Sequence, residues 1–353
     1  PQRISTLVYE HSHGNPFFIH EMALNLESAG IVEIDDGVCR IAERFQKGKI
    51  AVPNTIEGVV TSRIDSLTPA EQLTLKVASV IGREFQGKTL YDIFPVEREK
   101  ERLKKHIEKL QSLGFLDVEG EGKNKKYIFQ HVIIQEVSYQ LMLHQQRSKL
   151  HQDVAAWYEE SFRILDPYVG LLAHHYSNAG PTKAEEAFDY IDKAGEAALQ
   201  AGAAREATEF YLGALELFEK LDDSAKPKET WRKASWQRHL SDAFFAMGNR
   251  KDSVIYANDA LESIGSTQPK SILGWKALTL KSLLVFHFRR LFPLDFFWVK
   301  SKETGRVLTE FSYAARRLAE LYYLEYRELP MLGISLLAVN KGNRVRNFSG
   351  APY

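Results

Sequence analysis

The chain has 353 residues, a length that accommodates two or three domains. Apolar residues make up 44% and charged residues 26%, which excludes a disordered, collagen-like or disulfide-stapled protein. Lys and Arg number 46 and so do Asp and Glu, so no bulk field draws the chain to nucleic acid or an anionic membrane.

The chain opens on Pro1-Gln2-Arg3 rather than Met, as a fragment or a processed chain would. Polar sequence follows and no secretory signal is legible. Residues 17–29 carry apolar groups at helical spacing, with Gly30 placed as a C-terminal cap. Residues 31–41 alternate around Asp36-Gly37, a hairpin signal. The single cysteine, Cys39, cannot close an internal disulfide, and a reducing cytoplasm is the simplest compartment. Residues 42–53, with Gly48 and Pro53, read as a linker. A helix over 54–66 with Asn54 as N-cap comes next. Thr68-Pro69-Ala70-Glu71 then supplies an N-cap, a helix-start proline and a reciprocal Glu, opening a helix to about Ile81. Leu103, Ile107, Leu110 and Leu113 set one apolar stripe on a helix over 97–113, which ends at Gly114. Residues 115–120 and 126–130 flank a charged tip, and helices followed by a small hairpin give a winged helix-turn-helix. Helical stretches over 132–143 and 147–164 complete this part.

Beyond Pro167 the pattern is helical nearly to the end, so the fold class is mainly α. Gly202, Ala207, Tyr211, Ala214 and Leu215 recur 46 residues later as Gly248, Ser253, Ala257, Ala260 and Leu261. Small residues at this spacing let helix pairs stack, as in tetratricopeptide solenoids. The usual period is 34 residues, so a longer linker over about 222–229, with Pro227, is required. A degenerate third unit spans 272–325, and the solenoid ends at SGAPY without a polar capping helix. The most apolar stretch, 283–299, is broken by His287, Arg289, Arg290, Pro293 and Asp295. It falls short of the roughly 20 nearly uncharged residues of a membrane span.

Candidate chemistry is sparse. Gly82-Arg83-Glu84-Phe85-Gln86-Gly87-Lys88-Thr89 matches GxxxxGK[ST], but a helix precedes it where a phosphate loop needs a strand. A helix-helix turn is the better reading. The close histidines are His11 with His13, His144 with His151, and His174 with His175. None has metal-binding spacing and no Cys cluster accompanies them, so no metal site is expected. No nucleophile elbow is present and no catalytic residue stands out. On 97–113, Arg98, Lys100, Arg102, Lys104, Lys105 and Lys109 interleave with Glu97, Glu99, Glu101 and Glu108. With Lys123, Lys125 and Lys126 on the tip this could face DNA, but the mixed charge argues for a solvated helix face. Phe286, Phe288, Phe292, Phe296, Phe297 and Trp298 read as solenoid core rather than a partner surface.

Five segments in order carry a resemblance: 14–26 (GNPFFIHEMALNL), 52–85, 114–118 (GFLDV), 127–143 (YIFQHVIIQEVSYQLML) and 171–180 (LLAHHYSNAG). Together they resemble the region after the ATPase core in bacterial signal-transduction ATPases of the STAND class. That class includes proteins fused to adenylate or guanylate cyclases and is similar to the soluble adenylyl cyclases. The resemblance is strong over about residues 1–220 and loose over the rest. It implies an ATPase lid remnant (1–50), a winged-helix domain (51–165) and tetratricopeptide-like repeats (166–353).

Two motifs carry functional meaning by this resemblance. Gly14-Asn15-Pro16 resembles the GxP motif of the lid, whose proline packs near the adenine. Phe129-Gln130-His131 resembles the segment whose His reaches the β-phosphate of bound ADP and locks the off state. The Asp that follows this His in the family is Val132 here, so its helix-capping role is not carried over. Gly14, Pro16 and His131 are therefore the expected nucleotide-binding residues, lining one wall of a site. The phosphate loop, the magnesium-binding Asp and any cyclase domain lie outside these residues. ATP or ADP with magnesium is implied for the parent protein, and no catalysis or bound cofactor for this stretch. The implied partners are an upstream ATPase core in cis and a protein, peptide or small effector on the solenoid, with neither DNA nor a membrane. Two other readings stay open: a winged-helix transcription regulator, and a plain interaction scaffold.

Overall fold

A computed structural model gives the fold. It describes every residue except 1, 36–37, 46–51, 121, 123–124, 224–229, 292–300 and 343–353. The chain divides into two units, Pro1–Arg163 and Ile164–Tyr353. It is mainly helical, with small antiparallel sheets in the first unit.

The first unit opens with α1 (Gln2–Ser12) and α2 (Pro16–Ser28), followed by the hairpin β1 (Val32–Asp35) and β2 (Val38–Ile41). The strands pair antiparallel with Val32 opposite Ile41; the expected Asp36-Gly37 turn lies outside the described residues, as do residues 46–51 of the 42–53 linker. Next comes α3 (Ile56–Asp65), whose N-cap is Thr55 rather than Asn54. The Thr55 hydroxyl accepts from Gly58 N–H at 3.1 Å. In α4 (Pro69–Ile81) the expected reciprocal cap forms. Glu71 N–H donates to the Thr68 hydroxyl at 3.4 Å, and Thr68 N–H to the Glu71 carboxylate at 2.9 Å. Two otherwise orphaned N–H groups are thereby satisfied.

The phosphate-loop match dissolves into β3 (Glu84–Gln86) between Gly82, which caps α4, and Gly87, which opens α5 (Gly87–Ile93). It is thus not a plain helix-helix turn. A phosphate loop needs a strand, loop and helix in a parallel sheet, whereas β3 is antiparallel and Thr89 is buried. The expected 97–113 helix is broken into α6 (Glu97–Lys100) and α7 (Leu103–Ser112). The reason is apolar content. α6 buries nothing, while α7 buries Leu103, Ile107 and Leu110 along one face.

The strands β4 (Leu116–Glu119) and β5 (Lys126–Phe129) pair as expected, and β3 joins them in the order β3-β5-β4. Helices α8 (Val132–Gln140) and α9 (His144–Ser161) follow. Phe85, Leu116 and Phe129 from the sheet pack with Leu75, Leu90, Leu110, Ile134 and Val154 from the helices. Helices backed by a three-stranded sheet make the winged helix-turn-helix.

The second unit stacks α10 (Val169–Asn178), α11 (Ala184–Gln200), α12 (Ala204–Lys220), α13 (Thr230–Ala246), α14 (Arg250–Ser263), α15 (Ile272–Leu291), α16 (Lys302–Leu324) and α17 (Glu328–Gly342). Sequence neighbours from α10 to α14 pack pairwise, as a helical-repeat array requires. The internal repeat has a direct structural meaning. The α11–α12 turn closes at Gly202 and the α13–α14 turn at Gly248, with matching bonds from Ala203 N–H to Ala198 and from Asn249 N–H to Phe244. Ala207, Tyr211 and Ala214 are buried, as are their counterparts Ser253, Ala257 and Ala260. The linker carrying Pro227 lies largely outside the described residues. The third unit differs from expectation: α15 packs on α17, and α16 on α17, α14 and α13. Phe286 is half-buried and Phe288 exposed, so the described part of the aromatic stretch is not core. Phe292, Phe296, Phe297, Trp298 and the SGAPY end lie outside the described residues. No helix among the described residues is long and apolar enough to cross a membrane.

Candidate functional site

The Gly14-Asn15-Pro16 segment is the sharp corner between α1 and α2. His13 takes φ +47° and Gly14 φ +82°, the left-handed region that glycine enters without a Cβ penalty. Gly14 N–H leans on the buried Ser12 hydroxyl at 3.4 Å. Asn15 is the N-cap of α2, its side-chain oxygen accepting from Phe17 N–H at 3.0 Å and Phe18 N–H at 3.2 Å. Pro16 occupies the first helical position, where its missing N–H costs nothing. The corner is exposed at Gly14, Asn15 and Pro16, while Phe18, Met22 and Leu26 anchor the helix below it. The rigid, apolar edge of Pro16 is therefore presented outward.

His131 lies 115 residues further on, yet the fold sets it beside this corner. Its ring stacks on Phe17, with centroids 3.7 Å apart and planes 15° from parallel. His131 is extended (φ −141°, ψ 149°) and is the N-cap of α8. Its Nδ1 accepts from Ile133 N–H at 3.2 Å. Val132 supplies no capping carboxylate, and His131 caps the helix itself. An Nδ1 that accepts places the proton of the neutral ring on Nε2. In that tautomer the Nε2–H is a donor that the helix cap does not use.

A buried ion pair fixes α2 against the rest of the unit. Arg63 of α3 donates one nitrogen to Glu21 of α2 and another to the Leu113 carbonyl at the end of α7. Its guanidinium also stacks over Phe115 at 4.4 Å. Glu21 is wholly buried and Arg63 nearly so. Nothing in the local pattern announces this bond across 42 residues, and sequence reasoning missed it.

The other sequence candidates are dispersed. His151 is buried and shares a 2.9 Å hydrogen bond with the Tyr139 hydroxyl, so it is structural. His175 is buried, and His144 is exposed. Lys126 pairs with Glu84 at 3.0 Å and Lys100 with Glu97 at 2.9 Å; Lys123 lies outside the described residues. Among the described residues no group of three His, Cys, Asp or Glu could hold a metal ion.

The second unit holds a polar network that the sequence did not disclose. Glu185, Asp189, Asp192 and Glu196 follow one another along one face of α11 at spacings of four, three and four. Arg232 of α13 is shared by the first three. Asp192 also accepts from the Trp236 indole at 2.6 Å. Burial pushes the Asp192 carboxyl up to about 6, and Arg232, divided among three acids, does not reverse this. Beside it, Tyr211 of α12 stacks on His239 of α13 with centroids 4.8 Å apart. Burial, seconded by the Arg238 charge, holds His239 well below the ordinary histidine range. Arg238 reaches His239 Nε2 at 2.7 Å, Glu310 at 2.6 Å and Asp242 at 3.1 Å.

No protein-family profile matches the chain. An uncharacterized protein of Rhizobium meliloti (strain 1021) is 26% identical over 223 residues, 60% of this chain and 20% of that protein. Among solved structures, a Signal Transduction ATPase with Numerous Domains (STAND) protein with a tetratricopeptide repeat sensor, from Pyrococcus horikoshii, overlaps 99% of this chain and 58% of its own. The two share 13% identity at a TM-score of 0.31, an overlap too weak to identify a fold. The chain thus spans about a fifth of its curated relative and little more than half of that archaeal chain.

Proposed function

We propose that this chain is the regulatory part of a STAND-type signal-transduction ATPase. Its first unit closes over an adenine nucleotide gripped by an ATPase core in the same protein. Its second unit receives a protein, peptide or small effector. The observation that carries this reading is the Phe17–His131 stack. Two motifs that resemblance assigns to opposite ends of one ADP molecule meet side by side. Pro16 offers an apolar edge suited to a base, and His131 Nε2 offers a donor suited to a phosphate oxygen. The Glu21–Arg63 ion pair ties α2, which begins at Pro16, to α3. The bound nucleotide and its magnesium would be completed by the core's phosphate loop and acidic residue. These residues contribute orientation and one hydrogen bond. Effector binding that favours an open arrangement would release ADP as a population shift.

The test is nucleotide release from the parent protein carrying the ATPase core. A hydrogen bond to a charged group is worth about 1.5–3 kcal/mol, so His131→Ala should speed ADP release roughly tenfold or more. Release at the unaltered rate would remove His131 from the site.

A further inference from the structure

We propose that the outer face of α15 is a docking surface for one amphipathic helix with acidic flanks, supplied by a partner protein. That such a helix acts as the effector rests on the reading above; the docking itself stands on α15.

α15 is apolar on two opposite faces, and its inner face is clamped to the solenoid. Trp275 is buried, meets the Tyr322 ring edge-on at 5.8 Å and clusters with Ile334 of α17. Gly333 of α17 comes so near that a Cβ there would stand 2.8 Å from the Thr279 hydroxyl. The Asn340 amide donates to the Ser282 carbonyl at 2.7 Å, and Arg289 donates to the Asn340 carbonyl. These contacts fix which face of α15 points away.

On that outer face Leu273, Ala277, Leu280, Leu284, His287 and Leu291 follow at steps of four, three, four, three and four. This is the seam spacing by which one helix packs along another. All six are exposed, the four leucines between 61% and 77%. A helix that is apolar all round is ordinarily buried on every side. The 20 residues of α15 make a strip about 30 Å long and about 10 Å wide. At roughly 300 Å² it reaches the size at which an exposed apolar patch marks an interaction site.

Charge selects the occupant. Lys276 and Arg290 border the seam on one side and Lys281 on the other. All three are exposed, and α15 carries no acidic residue. None of them is in an ion pair among the described residues, where Arg238, Arg317 and Arg327 hold the acids of α16 and its end. A seam bordered by cations alone is met by a helix bordered by carboxylates. A second copy fits poorly, because pairing α15 with itself sets Lys and Arg against Lys and Arg in either direction. The strip also falls well short of the roughly 800 Å² per partner of a stable dimer. A lipid surface fits less well, since the chain has no net charge and an imidazole stands within the seam. That imidazole suits a helix. His287 Nδ1 donates to the Leu283 carbonyl at 3.1 Å, so the neutral ring keeps Nε2 as an acceptor for one polar side chain that sets the partner's register.

Calorimetric titration of the 353-residue chain with an acetylated, amidated peptide of three Glu-Ile-Ala-Ala-Leu-Glu-Lys heptads tests this. A peptide of three Lys-Ile-Ala-Ala-Leu-Lys-Glu heptads keeps the seam and reverses the flanks. The expected result is micromolar binding of the acidic-flanked peptide and about tenfold weaker binding of the basic-flanked one. Leu280→Gln together with Leu284→Gln changes two exposed side chains, so the chain should fold and binding should weaken about tenfold or more. Lys281→Glu with Arg290→Glu should invert the preference between the peptides. Leu143→Gln, at an exposed leucine of the first unit, should leave binding unaltered. No binding of the acidic-flanked peptide, equal binding of both peptides, or equal binding by the Leu280/Leu284 variant overturns the proposal. Co-sedimentation with phosphatidylcholine–phosphatidylserine vesicles, or a dimer in sedimentation velocity, lost in that same variant, overturns the partner helix as occupant. ADP release from the parent protein plays no part in these outcomes, so failure here leaves the nucleotide reading untouched and the converse also holds.

Discussion

Replacing Arg63 with Met is the sharpest perturbation of the first unit. The substitution leaves the wholly buried Glu21 carboxylate without its counter-charge and the Leu113 carbonyl without its donor. Breaking one partner of a buried pair costs about 3–5 kcal/mol, mostly from the uncompensated charge left behind. For a unit of this size each kcal/mol lowers Tm by roughly 2–4 °C, so a fall on the order of 10 °C is expected. Removing both charges together, as Glu21→Met with Arg63→Met, should recover most of the loss. A buried pair replaced by apolar side chains of similar volume is commonly neutral or better. The assay is urea unfolding of all four proteins as a double-mutant cycle. Hydrogen exchange read separately over residues 16–28 and 56–65 supplies the local signal. Protection should be lost in both segments of the single mutant and return in the double. A single-mutant loss below about 1 kcal/mol would show that the charges are solvated and refute the brace, since exposed ion pairs contribute only that much.

Three further outcomes follow from the structure. The Asp192 carboxyl, raised from 3.8 to about 6 by burial, binds its proton more tightly folded than unfolded. Stability should therefore fall as pH rises through the window from about 4 to 6, by about 1 kcal/mol between pH 5 and 7, and Asp192→Asn should flatten that slope in urea melts. Gly195→Ala drives a Cβ to 2.4 Å from the Tyr211 ring, an overpacking expected to cost about 1–3 kcal/mol by chemical denaturation. Thr68→Ala removes the reciprocal cap of α4 and should cost about 1 kcal/mol, read as a lower urea midpoint with unchanged slope.

What the sequence discloses is the local part of this structure. Thr68, Pro69 and Glu71 announce α4 because a cap is written in four consecutive residues. Leu103, Ile107 and Leu110 announce α7 because helical burial repeats every three to four residues. Gly202 and Gly248 announce paired turns because small residues recur at one spacing. The break between α6 and α7 is harder to see. Charged residues are good helix formers, and only the absence of apolar side chains in Glu97–Lys100 marks the segment. The contacts that build the sites are long-range. Glu21 meets Arg63, Phe17 meets His131, and Arg232 gathers three acids from α11. None of these pairings has a spacing to be read, so only the fold discloses them. Gly14, Pro16 and His131 are singled out by resemblance alone; the contact of the Phe17 ring with His131 has no signal in the sequence.

The most direct measurement of the central claim is photolabelling of the parent protein, in its ADP-bound state, with 8-azido-ADP. The reactive group sits on the adenine, the part of the nucleotide that the account places against Pro16. Labelling is predicted on the peptide containing Gly14, Pro16 and Phe17, and it should be suppressed by excess ADP. Label confined to peptides outside residues 1–50, with that corner unmodified, would contradict it.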